Sequence, residues 1–529
     1  MWRDIPEDVE TRLRDEIPVL IHEKELDIQG ALPSDQAHIL IEGDNLHALH
    51  VLKATHRGRV DVIYIDPPYN TGKDFIYNDK LVDKENPWRH SAWLSFMSKR
   101  LELAKELLKH SGILLVSIDD NEQHRLHSLC DQIFGESNFV GTLVWQNSDT
   151  IKNDAKFISP NSEAIFVFAR NRELLGRLPG IEKGEKQKAP YKNPDGDPRG
   201  PYILTPLYAK SGSKEKNFEF TFSNGQKWSP PVGRFHRYSA ESLKRLDSEG
   251  RLALYPKKKK KPMRKTYLSE VSERMPLWTF LRYEDFDSTR QSNFELSALI
   301  GKGKFPNPKP SRLIRKLVDA VAKSDAMILD FFAGSGTTLH AAAELNAQDG
   351  GTRRCILVTN DQNGICRQVT FPRIKALLTG EWADGRRDPL PGSLVFYRTE
   401  FVKRLKSPDR IRTAIAKHTV DLIALREGTA RTLTRNALMA LLKGSGKTVA
   451  VVPGLDPDHA DLRNTAERKV EEGDRKVVYL FTWSDNGVEE EVAALWPSWE
   501  VNPLPAEMLA ALRRLAPPAR LFEDLGGAS

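Results

Sequence analysis

Between residues 38 and 170 the apolar positions switch period repeatedly. "HILIEGDN" (38–45) is a short apolar run closed by turn formers, which predicts a strand and turn. "LHALHVLKATHRG" (46–58) sets its apolar residues at helical spacing and ends on glycine. "VDVIYID" (60–66) is almost continuously apolar, the pattern of a buried strand. "AWLSFMSKRLELAKELLKHSG" (92–112) predicts a helix, "ILLVSID" (113–119) a strand, "EQHRLHSLCDQIFG" (122–135) a helix and "AIFVFAR" (164–170) a strand. Strands separated by helices imply an α/β fold with a parallel sheet covered on both faces.

The rhythm breaks over residues 171–300, which are rich in Lys, Pro, Gly and Asn, as in "NPDGDPRGPY" (193–202) and "SNGQKWSPPVGRF" (223–235). Turns, short strands and loops are expected there, as a separate inserted module. It resumes with "SRLIRKLVDAVAK" (311–323, helix), "AMILDFF" (326–332, strand), "GTTLHAAAELNAQ" (336–348, helix) and "RRCILVTND" (353–361, strand). Beyond about 400, "VKRLKSPDRIRTAIAKHTVDLIALRE" reads as helical and "KVVYLFTWSD" (476–485) as a strand. The expected division is an N-terminal extension (1–37), a catalytic half (38–170), the insert (171–300), a second half (301–400) and a C-terminal α/β region (401–529).

Charge sharpens this division. The chain carries +7 over 529 residues, but residues 171–310 hold 29 Lys and Arg against 16 Asp and Glu, a net +13 that leaves −6 elsewhere. A basic module invites a polyanion, because neutralised phosphates release counterions. The lysine run 257–261 serves equally as a solvated tip or a DNA contact. Three scattered cysteines make neither a disulfide framework nor a zinc site, and the 13 histidines show no metal spacing, so no metal is expected. No apolar run is long enough for a membrane span, and the acidic N-terminus lacks a signal core, which suggests a cytoplasmic protein.

Two stretches carry chemistry. The strand at 60–65 ends on Asp66-Pro67-Pro68-Tyr69. Proline cannot donate to a sheet ladder, so the strand stops and a stiff elbow forms at its carboxyl end, where open α/β sheets bind ligands. The Asp66 carboxylate and the Pro67 carbonyl can accept the two N–H bonds of an exocyclic amine, and Tyr69 offers a face for stacking. Positioning, rather than a general base, would do most of the catalysis. An ordinary Pro-Pro turn would leave the same trace. The second stretch, "ILDFFAGSGTT" (328–338), is a strand, a loop with Gly334 and Gly336, and a helix start. Its glycines admit close approach of a ligand, the helix offers free N–H groups, Thr337 and Thr338 can cap it, and Asn360 or Asp361 after the next strand can meet a ribose. A tight turn alone is the alternative.

Two further features are weaker. "GSGKT" (444–448) has Leu441 where a phosphate-binding loop needs glycine, and reads as a helix-ending turn. His47 and His50 are expected at the surface or boundary of their helix. Trp88 and Trp93 flank a helix start, either near the base or in the core.

Together the two motifs resemble S-adenosylmethionine-dependent amino-methyltransferases. Their order, catalytic motif first and cofactor loop last with a basic module between, is similar to the beta group of DNA amino-methyltransferases. "ILIEGDNLHAL", "DPPYNTGKDFIYND", "NPDGDPRGPY", "KPMRKTYLSE" and "FPNPKPSRLIRKLV" are similar to the modification subunit of type III restriction–modification systems, over roughly residues 38–400. The resemblance implies a Rossmann-like S-adenosylmethionine-dependent methyltransferase fold with an inserted target-recognition module. It implies Asp66, Pro67, Pro68 and Tyr69 at the target amine. Asp66, Lys309, Asp330, Phe331, Phe332, Ala333, Gly334, Gly336, Thr337, Thr338, Asn360 and Asp361 would lie around the cofactor S-adenosyl-L-methionine. Arg199, Arg264, Lys265 and Tyr267 would lie at the DNA. Asp at the head of the motif implies adenine N6 in double-stranded DNA; cytosine N4, an RNA base, or a mainly DNA-recognising subunit are the alternatives. A second copy of the chain and a restriction (helicase–nuclease) subunit are the protein partners it admits, with 401–529 as docking surface.

Overall fold

The computed structural model describes residues 7, 12–13, 16–30, 37–72, 76–77, 80–81, 83, 85–151, 156–212, 217–254, 261–403, 408–429, 431–436, 439–444, 446–452, 459–480, 490–505, 508 and 510. These divide into two compact units, residues 1–178 with 278–529, and residues 179–277.

The first unit is built on a ten-stranded sheet. In chain order its strands are β1 (Glu16–His22), β2 (His38–Glu42), β3 (Val60–Ile65), β4 (Leu108–Ile118), β5 (Phe139–Gln146), β6 (Ser162–Ala169), β7 (Phe280–Leu281), β8 (Met327–Asp330), β9 (Arg354–Thr359) and β10 (Leu394–Lys403). Their spatial order is β1-β10-β2-β9-β8-β3-β4-β6-β5-β7. From β10 to β4 all neighbours are parallel. The sheet as a whole is mixed, because β6 runs antiparallel to both β4 and β5. Among its described residues the connection from β5 to β6 holds no crossover helix, as an antiparallel pair allows. The apolar runs of β3, β4, β8 and β9 are buried as their sequence requires, with Ile63, Leu114, Leu329 and Ile356 fully inaccessible.

Helices α1 (Asn45–His56), α2 (Arg89–Leu107), α3 (Gln123–Phe134), α4 (Thr289–Ile300), α5 (Ser311–Val321), α6 (Thr337–Asp349) and α7 (Phe371–Thr379) accompany the strands. Asp44 caps α1 by accepting from the Leu46 and His47 amides. The helix expected to run to 112 ends at Leu107, because Leu108 turns extended to pair with Val60. His47 is buried rather than a surface residue, its ring edge-on to Phe401 at 4.7 Å. Residues 278–300 fold with this unit, since β7 pairs with β5.

The C-terminal part packs onto the same unit. α8 (Pro408–Glu427) contributes Val420, Ile423 and Leu425 to the main core, together with Leu442, Val449 and Val477 of a second, five-stranded sheet. In that sheet "GSGKT" is a hairpin, not a helix end: Ala440–Gly444 pairs antiparallel with Lys447–Val452, and Gly446 takes φ +57° in the turn. A strand rather than a helix follows the glycine, so the phosphate-binding geometry is absent. No helix among the described residues is long and apolar enough to cross a membrane.

The second unit is a small β module. Tyr202–Pro206, Met263–Tyr267 and Leu252–Ala253 form a three-stranded sheet, and three two-stranded ribbons surround it. Leu207, Phe222, Trp228, Leu243, Leu246 and Leu252 form its core, with Leu243 and Leu246 supplied by the helix Ala240–Ser248.

Candidate active site

The parallel register of β3 and β8 sets Val62 beside Ile328 and Ile63 beside Leu329. Continuing it three residues brings the Asp66 elbow beside Phe332. The two distant motifs therefore leave the sheet side by side at its carboxyl edge.

The elbow is held from several directions. Trp93, fully buried, donates its indole N–H to the Pro68 carbonyl at 2.7 Å. Asn70 takes φ +58°, a left-handed conformation that Asn tolerates better than most residues. Its amide donates to Glu122 Oε1 at 2.6 Å and to the Arg89 carbonyl at 3.3 Å. His90 also meets the buried Glu122 carboxylate. Among the described residues no group donates to the Pro67 carbonyl.

At the tip of the elbow a lysine joins two acids. Lys309 Nζ lies 3.0 Å from Asp66 Oδ2, 3.0 Å from Glu163 Oε2 and 2.7 Å from the Tyr69 hydroxyl oxygen. The Tyr69 hydroxyl reaches Asp66 Oδ1 at 2.7 Å and Glu163 Oε2 at 3.0 Å. Asn147 Nδ2 donates to Glu163 Oε1 at 2.9 Å. Burial raises the Asp66 carboxyl above the ordinary range against the pull of Lys309. Burial would also raise Glu163, but the Lys309 charge and its hydrogen bonds hold it below. Burial opposes the Lys309 ammonium, yet the two carboxylates outweigh it and keep it charged.

Lys309, expected at the cofactor, thus sits with its ammonium in the carboxylate pair. Its backbone carbonyl accepts from the Thr337 hydroxyl at 3.1 Å, so one residue ties the elbow to the glycine loop.

In that loop Asp330 is buried and accepts from the Phe332 amide at 3.0 Å and the Thr338 hydroxyl at 2.5 Å. Burial lifts its pKa to about 7, and the nearby Asp66 charge adds to this. Phe331 is buried, its carbonyl accepting from Asn45 Nδ2 at 2.9 Å, and Arg100 fixes Asn45 at 2.5 Å. Phe332 is half-buried against Phe96, ring centroids 5.8 Å apart. The buried Ala333 donates its amide to the Val358 carbonyl. Gly336 is the N-cap of α6 at φ +81°, and a Cβ there would come 3.1 Å from Thr370 Cγ2. Gly334 has φ +48°. Thr337 and Thr338 do not cap the helix as expected, because their hydroxyls donate to the Lys309 carbonyl and Asp330; among the described residues no side chain caps α6. Its leading N–H groups therefore face the loop with no side-chain acceptor among the described residues. Arg373, fully buried, braces the loop from behind through Ser335 Oγ at 3.1 Å and Thr337 Oγ1 at 2.9 Å. Asn360 and Asp361 follow β9, with Asn360 exposed and Asp361 Oδ1 accepting from the Arg367 amide.

The expected DNA residues lie in the second unit and are largely occupied there. Asp197 accepts from Arg199 Nε at 2.9 Å, Lys265 Nζ at 2.9 Å and the Tyr267 hydroxyl at 2.7 Å. Tyr267 is fully buried and Lys265 nearly so. Their polar groups are engaged by Asp197 within the module. Arg264 donates to the Tyr238 hydroxyl at 3.0 Å. Of the lysine run, 257–260 lies outside the described residues.

Glu163, Asn147, Glu122, Asn45, Arg100 and Arg373 were not singled out by the sequence. For Glu163 a signal exists: it immediately precedes the apolar run "AIFVFAR", and a charge at the mouth of a buried strand needs a partner.

A fold and site of this kind define a Rossmann-like α/β protein in which an Asp-Pro-Pro-Tyr elbow leaves the sheet beside a glycine-rich loop. Residues 60–369 match the family described as DNA methylase, and the chain belongs to that family. It is similar to the type III restriction–modification enzyme StyLTI Mod subunit of Salmonella typhimurium, 34% identical over 354 residues, covering 61% of this chain and 52% of that one. The type III EcoPI Mod subunit of Escherichia phage P1 is 33% identical over 381 residues, covering 61% and 58%. The type II methyltransferase M.KpnI of Klebsiella pneumoniae is 34% identical over 360 residues, covering 64% and 84%. The chain thus spans little more than half the length of the two Mod subunits it matches.

Two outcomes follow. Asp330, ordinarily near 3.8, is held at about 7 in the fold. The unfolded chain ionises first as pH rises, so stability is lost between about pH 4 and 7. The melting temperature of the wild type should therefore fall relative to Asp330→Asn across that window and level off above it; parallel curves would contradict the assignment. Asp197→Ala strips Lys265 and Tyr267 of their shared acceptor, so limited proteolysis should cut faster within 179–277 than elsewhere in the variant.

Proposed function

We infer that the chain transfers a methyl group from S-adenosyl-L-methionine to the exocyclic N6 of adenine in duplex DNA, after flipping the base out of the helix. The observation that carries this reading is the pairing of an amine-accepting elbow, Asp66 with the Pro67 carbonyl, to a glycine loop on the adjacent strand.

The loop fits the cofactor. The start of α6, uncapped among the described residues, suits a carboxylate, the positive-φ Gly334 and Gly336 let the backbone turn close to a ligand, and Asn360 and Asp361, which follow β9, are read as the ribose contacts. When bound, S-adenosylmethionine supplies an electrophilic methyl carbon. The protein's own part is positional. Asp66 and the Pro67 carbonyl accept the two amine N–H bonds, which aims the nitrogen lone pair. Tyr69 stacks on the base. The Asp66–Glu163–Lys309 group carries a net −1, which favours positive charge developing on the amine nitrogen.

Flipping costs a few kcal/mol, to be recovered from contacts with the duplex. The unit 179–277, with 22 Lys and Arg against 11 Asp and Glu, is the target-recognition module in this reading. Adenine is preferred over cytosine because Asp heads the motif. The Mod-type relatives support a type III restriction–modification setting, with a restriction subunit and a second copy as protein partners and residues 401–529 as a docking surface.

Asp66→Ala should lower methyl incorporation into unmethylated genomic DNA by at least roughly 100-fold while cofactor and DNA binding persist. Undiminished incorporation would remove this mechanism.

A further inference from the structure

Glu163 belongs to no motif, yet it stands at the catalytic elbow. It reaches that edge because β6 runs antiparallel to β4, so the start of β6 lies level with the carboxyl ends of the parallel strands. Its carboxylate is held at both oxygens: Oε1 by Asn147 Nδ2, and Oε2 by Lys309 and the Tyr69 hydroxyl.

The hydrogen-bond count shows why a second acid is needed. The Lys309 ammonium has three protons and three acceptors, Asp66, Glu163 and Tyr69, at 3.0, 3.0 and 2.7 Å. The Tyr69 hydroxyl has one proton and two carboxylate oxygens in reach, Asp66 Oδ1 at 2.7 Å and Glu163 Oε2 at 3.0 Å. Both oxygens of Asp66 are thus engaged from within: Oδ1 by the phenol, Oδ2 by the ammonium. An amine arriving at Oδ1 competes with the phenol. Moving the phenol away with no other acceptor would leave a half-buried hydroxyl without one of its hydrogen bonds.

We propose that Glu163 is a positioning residue that receives the Tyr69 hydroxyl hydrogen bond when the target amine takes its place on Asp66, and that shares Lys309 so the ammonium does not monopolise the Asp66 carboxylate. The inference rests on the reading of Asp66 as the amine acceptor. No proton changes owner: the Tyr69 O–H rotates from one carboxylate to the other, and the amine N–H replaces it. Glu163 never touches the base. With glutamine at 163 the ammonium has a single anionic partner, Asp66, and pins it.

The test uses the full-length chain, saturating S-adenosylmethionine and unmethylated genomic DNA, with single-turnover methyl incorporation as readout. Cofactor affinity is measured separately by calorimetry. Glu163→Gln should slow the turnover about 100-fold with unchanged cofactor affinity. Adding Lys309→Gln to that variant should restore rate, roughly tenfold over Glu163→Gln alone, because the pinning ammonium is gone. A residue that merely supports the fold would give a double variant no faster than the single. Wild-type rate in Glu163→Gln, or a double variant as slow as the single, overturns the inference. Wild-type rate in Asp66→Ala, or no incorporation by the wild type, overturns instead the reading beneath it. Melting curves of each variant show that a folded protein was assayed.

Discussion

Everything at the site depends on β3 and β8 pairing in parallel, with Ile63 beside Leu329. These strands are 266 residues apart in sequence, yet they are neighbours at the middle of the sheet. Parallel pairing sends both chains out at one edge, and the prolines after Asp66 end one ladder where the glycines after Asp330 begin a loop on the other. A one-residue slip would offset the two motifs by about 3.3 Å along that edge. The buried side chains of β3, β4, β8 and β9 therefore fix the active edge as firmly as they fix the core.

Electrostatics then finish the arrangement. An acid raised by burial and an acid lowered by its neighbours share one ammonium, which offsets part of the cost of holding both at this depth. Lys309 comes from the segment leading into α5 and also carries the Thr337 hydroxyl on its carbonyl. Buried Arg373 and Arg100 brace the glycine loop from two further helices. The loop's shape is thus set by contacts well outside its own sequence.

Much of this was legible in the chain. The apolar runs placed β2, β3, β4, β8 and β9, and Asp66-Pro67-Pro68-Tyr69 and Gly334–Gly336 follow two strands that the fold makes neighbours. What escaped had physical causes. The pattern at 164–170 shows a strand but not its direction, so the antiparallel run of β6, and with it Glu163 at the active edge, stayed hidden. The strand β5 alternates too weakly to stand out. Nor does the sequence show that a single buried acid, Asp197, bonds Arg199, Lys265 and Tyr267 together. The hairpin at 440–452 resembled a helix end because a glycine stops either element.

The most direct test of the central claim is a crystal structure of the chain with S-adenosylmethionine and duplex DNA bearing its target. The account predicts the cofactor against residues 332–336 and one extrahelical adenine at residues 66–69, its N6 within hydrogen-bond distance of Asp66 and the Pro67 carbonyl. A target base stacked in the duplex, or seated away from that elbow, would contradict it.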